Sequence, residues 1–334
     1  MSKPGRTLDT DKLHRTLVQV AHLYYDDNLS QQQIADRLGV SRSLIAQYLQ
    51  RARDAGIVRI HIMDPDGTCT ELEQGIKEEA GLEHVTVTPN PHGSQELAFR
   101  AVADAASEYL GNVLRDGDTL GLAWGRMLRM VVDLLKPPKA SGIDVLPIMG
   151  ESGHSGMHSQ MNHLVMHAAE KLGANPQFLS LPMVVSSPFL RDALLNEEGI
   201  RDVTARWNRL SVACVGIGVV PPVPGMVVYI GEQHLPRMIE AGAVGDICGI
   251  YYDSEGKVLD TGLEDRTIGI DQRQLRRVKR LVAVACGAEK MGAVVGALRM
   301  GLLSSLFIDQ SLAERVLTGL RAEGVRKPRK RRQA

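Results

Sequence analysis

The 334-residue chain contains no stretch approaching the roughly 18 to 20 consecutive apolar residues that a membrane-spanning helix requires. Its first residues, "MSKPGRTLDTDK", lack the apolar segment of a secretory leader. A cytoplasmic protein without a membrane partner is the expectation. Cysteine is scarce: Cys69, Cys214, Cys248 and Cys286 stand far apart with no CxxC pair, which excludes a disulfide framework and a zinc knuckle and leaves buried reduced thiols. Neither GxGxxG nor a Walker A sequence occurs, so no nucleotide or other cofactor is expected.

Net charge is also absent, at a formal value of zero, but its distribution is uneven. Residues 1–62 hold nine Lys and Arg against six Asp and Glu, and residues 321–334 hold seven against one. The segment between them is acidic, so affinity for a polyanion is confined to the ends. The last residues, "RKPRKRRQA" over 326–334, have no apolar partner residues and read as a solvated basic tail.

What is present begins with "SQQQIADRLGVSRSLIAQYLQRARDAGIVRIHI" over 30–62. Ser30 can cap a short helix with apolar positions Ile34, Ala35 and Leu38, and Gly39 follows where the chain needs positive φ to stop it. Val40 fills the turn, and Ser41 can cap a second helix with Ile45, Tyr48, Leu49 and Ala52 on one face. Leu13, Leu17, Val20, Ala21 and Tyr24 form an amphipathic helix ahead of the pair, and "GIVRIHI" alternates like a β wing behind it. An ordinary helical hairpin shares the apolar periodicity, but the caps, the glycine and the wing together describe a winged helix-turn-helix over 1–62. The polar face of its second helix carries Ser41, Arg42, Ser43, Gln47, Gln50, Arg51 and Arg53, the candidates for contact with double-stranded operator DNA.

"MDPDGT" marks a boundary. Beyond it, over 63–325, apolar strands alternate with helical patterns: strands in "HVTVTP", "DTLGLAWG", "IDVLPIMG", "LSVACVGIG" and "LVAVACG", and helices over 95–114, 126–136, 159–173 and 288–303. This alternation predicts an α/β domain, a doubly wound and mostly parallel sheet covered on both faces. Ligands of such sheets bind beyond the carboxyl ends of the strands, and glycines mark those ends here: Gly121, Gly125, Gly150, Gly153, Gly216, Gly218 and Gly287. "HSGMHSQMNHLVMH" pairs His154 with His158 and His163 with His167 at helical spacing, but neither carboxylate nor cysteine completes a metal site. Asn162 or His163 meeting a polar effector is the better functional reading, and no metal is expected.

The ordered set "GLAWGRML", "ACVGIG", "GAVGDICGIYYDSEG" and "VAVACGAEKMGAVVGALRMGLLSSLFID", behind a helix-turn-helix, resembles the SorC family of bacterial sugar-operon regulators from about residue 15 to about residue 320. The resemblance implies a tetrameric transcription factor, a dimer of dimers. Its effector domain would be similar in fold to glucosamine-6-phosphate deaminase and ribose-5-phosphate isomerase. It also implies a phosphate loop at "WGRML", with Trp124, Gly125 and Arg126 at a helix N-terminus. Asp246 in "GAVGDI" would accept bonds from sugar hydroxyls, and Lys290 would stand where the last strand turns into a helix. Met127 departs from the family pattern, which carries a hydroxyl there. The function implied is an effector-responsive regulator of a carbohydrate operon, taking a sugar, polyol or sugar phosphate. The alternative is a sugar-phosphate isomerase or deaminase fused to a DNA-binding domain; it would need a general base and a second proton donor in one pocket, and no spacing singles out such a pair.

Overall fold

The computed structural model describes residues 7–27, 29–55, 57–58, 68–90, 94–151, 161–221 and 234–322. The chain divides into two compact units, Met1–Pro65 and Asp66–Ala334. The expected wing strand, His154, His158 and the basic tail fall outside the described residues.

In the first unit, α1 (Thr7–Tyr25) precedes α2 (Gln31–Leu38) and α3 (Arg42–Asp54). Ser30 forms a full capping box with Gln33, and Gly39 ends α2 at φ +66°. Ser41 Oγ accepts from the Leu44 amide at the start of α3. The apolar face predicted for each helix is the buried one: Ile34 and Ala35 of α2 pack with Val20 and Leu23 of α1 and with Ile45 and Leu49 of α3. Ile57 and Val58, past the end of α3, pack with Leu17, Ala21 and Ala52.

The second unit opens with α4 (Thr68–Ala80), β1 (His84–Thr88), α5 (Gln95–Val113), β2 (Thr119–Leu122), α6 (Arg126–Leu134) and β3 (Asp144–Pro147). It continues through α7 (Met161–Leu172), β4 (Asn175–Pro176), α8 (Pro188–Asn196), α9 (Glu198–Ala205), β5 (Val212–Gly216) and β6 (Gly218–Val219). The last elements are α10 (Leu235–Glu240), β7 (Gly245–Ile247), β8 (Ile250–Tyr252), α11 (Gln272–Arg277), β9 (Arg280–Val284), α12 (Met291–Arg299), β10 (Ser305–Asp309) and α13 (Gln310–Ala322). Seven strands form one parallel sheet in the order β1-β10-β9-β5-β2-β3-β4. A separate three-stranded antiparallel sheet runs β6-β7-β8.

Alternate residues of the parallel strands serve two cores. Val212, Cys214, Val282, Val284 and Phe307 face the layer of α5, α6 and α7, while Ala213, Val215, Leu281, Ala283, Leu306 and Ile308 face the opposite layer. Burial on both faces is why these strands read as continuous apolar runs. The same property conceals β10, whose five residues are all buried and which lies a short turn beyond the end of α12. The helix expected over 288–303 accordingly stops at Arg299, and Gly301, at φ +65°, turns the chain into β10. All four cysteines are buried. Among the described residues, no helix is long and apolar enough to cross a membrane.

Chain order fixes where a ligand can bind. From β2 the chain steps outward through β3 and β4; it then returns to the other side of β2 as β5 and steps outward through β9 and β10. The reversal lies between β2 and β5, so a crevice opens beyond their carboxyl ends.

Candidate functional site

β2 runs through Ala123, whose amide donates to the Cys214 carbonyl, into the half-buried Trp124 and then Gly125. Gly125 has φ +143°, a conformation that favours glycine, and α6 begins at the next residue with no side-chain cap. The first amides of α6 are therefore open to an anion. Arg126 is exposed at this terminus, with its guanidinium 4.2 Å from the ring centre of Phe99 on α5. Met127, where the family pattern carries a hydroxyl, is buried in the core beneath α6.

β5 ends at Gly216; the Ile217 carbonyl then accepts from Lys290 Nζ at 2.5 Å, and Gly218 opens β6. Gly218 pairs with Asp246 across the small sheet. Asp246 Oδ2 accepts from the Gly249 amide at 3.0 Å, closing the two-residue turn Cys248–Gly249 between β7 and β8. Both turn residues have positive φ, at 54° and 78°, as a type I′ hairpin requires. β9 leads through Cys286 into Gly287, whose amide donates to the buried Asp309 carboxylate at 2.8 Å, and a tight turn over Ala288–Lys290 brings Lys290 to the mouth of α12.

These groups share one electrostatic neighbourhood. Burial raises the Asp246 carboxyl above its ordinary pKa, while the Gly249 amide and the Lys290 charge oppose the rise. Burial likewise lowers the Lys290 ammonium, with Asp246 and Glu289 opposing that shift and Arg126 adding to it. Gly125, Arg126, Gly216, Gly218, Asp246 and Lys290 are thus gathered at the reversal point. A carboxylate suited to hydroxyl donors lies on one side, and a cation with unpartnered helix amides suited to an anion lies on the other.

Two predicted residues stand elsewhere. Gly121 lies within β2, paired with Leu146 and Ala213, and a Cβ there would meet Ile148 at 2.5 Å and Leu210 at 3.1 Å. It is a close-packing glycine inside the sheet, not a strand-end ligand group. Asn162 is occupied within the fold: its Oδ1 accepts from the Leu179 amide, and its Nδ2 donates to Ser180 Oγ. The neighbouring amides of Met161 and Asn162 donate to the Glu151 carboxylate, which closes the N-terminus of α7.

Glu289 and Phe99 escaped sequence reasoning. Glu289 sits in the quoted "GAEK" beside Lys290, and its carboxylate lies where a Cβ on Gly287 would stand, 2.4 Å away. Phe99 comes from a helix remote in sequence from Arg126, and no local pattern links the two.

On the first unit, Ser41, Arg42, Ser43, Gln47, Gln50, Arg51 and Arg53 are all exposed. Ser43 and Gln47 lie opposite the buried Ile45–Leu49–Ala52 stripe. Gln50 is held at both ends: Nε2 donates to Asp54, and Oε1 accepts from Arg53 at 2.7 Å. Arg53 reaches the Tyr25 hydroxyl at 3.5 Å as well.

Comparison with known proteins agrees with both units. Residues 64–318 match a family model described as "Putative sugar-binding domain", and residues 20–59 match one described as "Winged helix-turn-helix DNA-binding". The chain is 29% identical to the sorbitol operon regulator of Klebsiella pneumoniae over 91% of its own length and 98% of that protein. It is 28% identical to the deoxyribonucleoside regulator of Bacillus subtilis over 91% and 97%. The crystal structure of the full-length Klebsiella regulator, SorC, matches with a TM-score of 0.77. A transcriptional regulator from Streptococcus pneumoniae, 26% identical, covers 76% of this chain and 98% of its own with a TM-score of 0.71. Because the matches extend from the DNA-binding helices to the end of the α/β unit, this chain belongs to the SorC family of sugar-binding transcriptional regulators.

Proposed function

We propose that the protein regulates a carbohydrate operon by binding operator DNA through α3 and releasing or engaging it in response to a small sugar, polyol or sugar phosphate held beyond β2 and β5. The observation that carries this reading is the placement of Asp246, over Gly218, and Arg126, at the uncapped start of α6, around the reversal point of the parallel sheet. Asp246 accepts hydroxyl hydrogens, and Arg126 with the α6 amides faces any anionic end. The Klebsiella and Bacillus relatives are regulators, which favours sensing over turnover.

The working unit in this reading is a homotetramer, a dimer of dimers in the cytoplasm, because one small probe reads few bases. Paired half-sites would lie a whole number of helical turns apart. The experiment is operator binding measured by fluorescence anisotropy with and without a panel of sugars, polyols and their phosphates, repeated with Arg126→Ala and Asp246→Ala. A phosphorylated effector loses affinity strongly in both variants; a neutral polyol loses it only in Asp246→Ala. If both variants keep the wild-type response, the crevice is not the effector site. Turnover of any panel member would return the enzyme reading.

A further inference from the structure

A second cavity of about 430 Å³ lies among α8, α9, the β7–β8 turn and the start of α11. Its size falls in the range of roughly 300–1,000 Å³ typical of small-molecule sites. One wall is rigid and apolar: Trp207 is almost fully buried, and its Nε1 donates to the Pro147 carbonyl at 2.9 Å. Ile250, Val258 and the turn residues Cys248 and Gly249 continue that wall.

The charged lining sets two arginines against two carboxylates, and each carboxylate already has one oxygen engaged. Glu264 Oε1 accepts from both the amide and the hydroxyl of Thr261 at 2.8 Å, and Asp271 Oδ1 accepts from the Gln274 amide at 2.7 Å as the cap of α11. Its cations are not equally committed. Arg191 is anchored by Nε on Asp192 and by Nη1 on the Glu264 carbonyl, both at 3.1 Å. Arg201 forms no side-chain hydrogen bond among the described residues, and neither does Gln272. The cavity therefore combines a fixed indole face with the solvent-exposed guanidinium of Arg201 and the half-buried carboxamide of Gln272, neither engaged by another side chain.

We propose that this cavity is a second binding site, for a small organic carboxylate whose apolar body lies against Trp207 and whose charged end pairs with Arg201. It is separate from the crevice at β2 and β5, and its occupation does not depend on how that crevice is read. A planar guanidinium binds a carboxylate through two parallel hydrogen bonds, and a neutral isostere forfeits that charge.

The chain has two tryptophans, Trp124 and Trp207, so Trp124→Phe leaves Trp207 as the sole indole reporter. Benzoate titrated into this variant should change the Trp207 emission saturably. Benzamide, or benzoate with the additional change Arg201→Ala, should bind at least about tenfold more weakly, the loss expected for a charge-assisted pair. Arg126→Ala should leave benzoate affinity unchanged. Calorimetry on the otherwise unaltered chain and on Arg201→Ala repeats the comparison should Trp124→Phe not fold. The proposal is overturned if benzoate binds in neither measurement, if benzamide binds as tightly, or if Arg126→Ala and not Arg201→Ala removes binding.

Discussion

The Oδ1 atom of Asp246 occupies the space in which a Cβ on Gly218 would stand, 1.9 Å from that position. The other oxygen is tied to the Gly249 amide, so the carboxylate is fixed from two sides. Gly218→Ala must therefore displace Asp246, because no Cβ tolerates so close an oxygen. We expect effector affinity to fall by at least about tenfold, or roughly 1.4 kcal/mol, while operator binding in the absence of effector is retained. Calorimetry with the effector and anisotropy with operator DNA check the two halves. An unchanged effector affinity would show that the carboxylate does not hold the ligand.

The raised pKa of Asp246 gives a pH dependence with a definite sign. Burial is its main cause, opposed by the Gly249 hydrogen bond and the Lys290 charge. The ionised carboxylate is the better acceptor for hydroxyls, so effector affinity falls as pH drops through the raised value. Lys290→Met removes an opposing charge and should move that fall to higher pH. Stability runs the other way: a raised folded-state pKa contributes stability below the unfolded value of about 3.9, and this is lost as pH rises through the folded value. Asp246→Asn should thus melt at a higher temperature than the parent at neutral pH while losing the effector response. Melting curves and titrations over a pH series test both; identical pH profiles for the parent and Lys290→Met would refute the coupling.

The helix-turn-helix could be read from sequence because each of its signals is local: Ser30 with Gln33, Gly39, Ser41 and the apolar stripes all act within one or two turns of helix. The parallel strands declared themselves by apolar runs, and their glycines marked the rim of the crevice. Gly121 shows the limit of that signal. A glycine required for sheet-to-loop packing against Ile148 and Leu210 looks the same in sequence as one that admits a ligand. Asn162 likewise offers a polar side chain in the first turn of α7, the helix that follows a strand end, yet its partners Leu179 and Ser180 come from a later segment. The pairings of Gly218 with Asp246 and of Arg126 with Phe99 are long-range, and only the fold brings them together.

Asp309 ties two elements of the site's framework and should matter for stability more than for binding. It is 1% exposed at the end of β10, where one oxygen accepts from the Gly287 amide and the other from Ser311 Oγ and the Leu312 amide at the start of α13. Asp309→Ala strands the buried Leu312 amide and takes the acceptor from the half-buried Gly287 amide, at about 1–3 kcal/mol for a buried unsatisfied group. Chemical denaturation should show a lower midpoint with an unchanged slope, and a shift below about 0.5 kcal/mol would contradict this account.

The last prediction separates sequence readout from anchoring on DNA. Gln47 stands on the exposed face of α3 opposite Ile45, Leu49 and Ala52, where a carboxamide can pair with both edge atoms of an adenine in the major groove. Gln47→Ala should cost roughly 1–3 kcal/mol on the correct operator and relax preference at one base pair. Arg53 is placed differently, since Gln50 and Tyr25 hold its guanidinium toward the flank of the helix. Such a preset cation suits a phosphate, which every sequence presents. Arg53→Ala should then weaken specific and random DNA alike and flatten the dependence of log affinity on log salt by about one unit. Tyr25→Phe, which removes one restraint without removing the charge, should leave that salt slope unchanged. Anisotropy titrations on operator, single-substitution operators and random duplexes across a salt series resolve the two roles. Equal losses for Gln47→Ala and Arg53→Ala on every duplex would contradict the assignment of α3 as the reading helix.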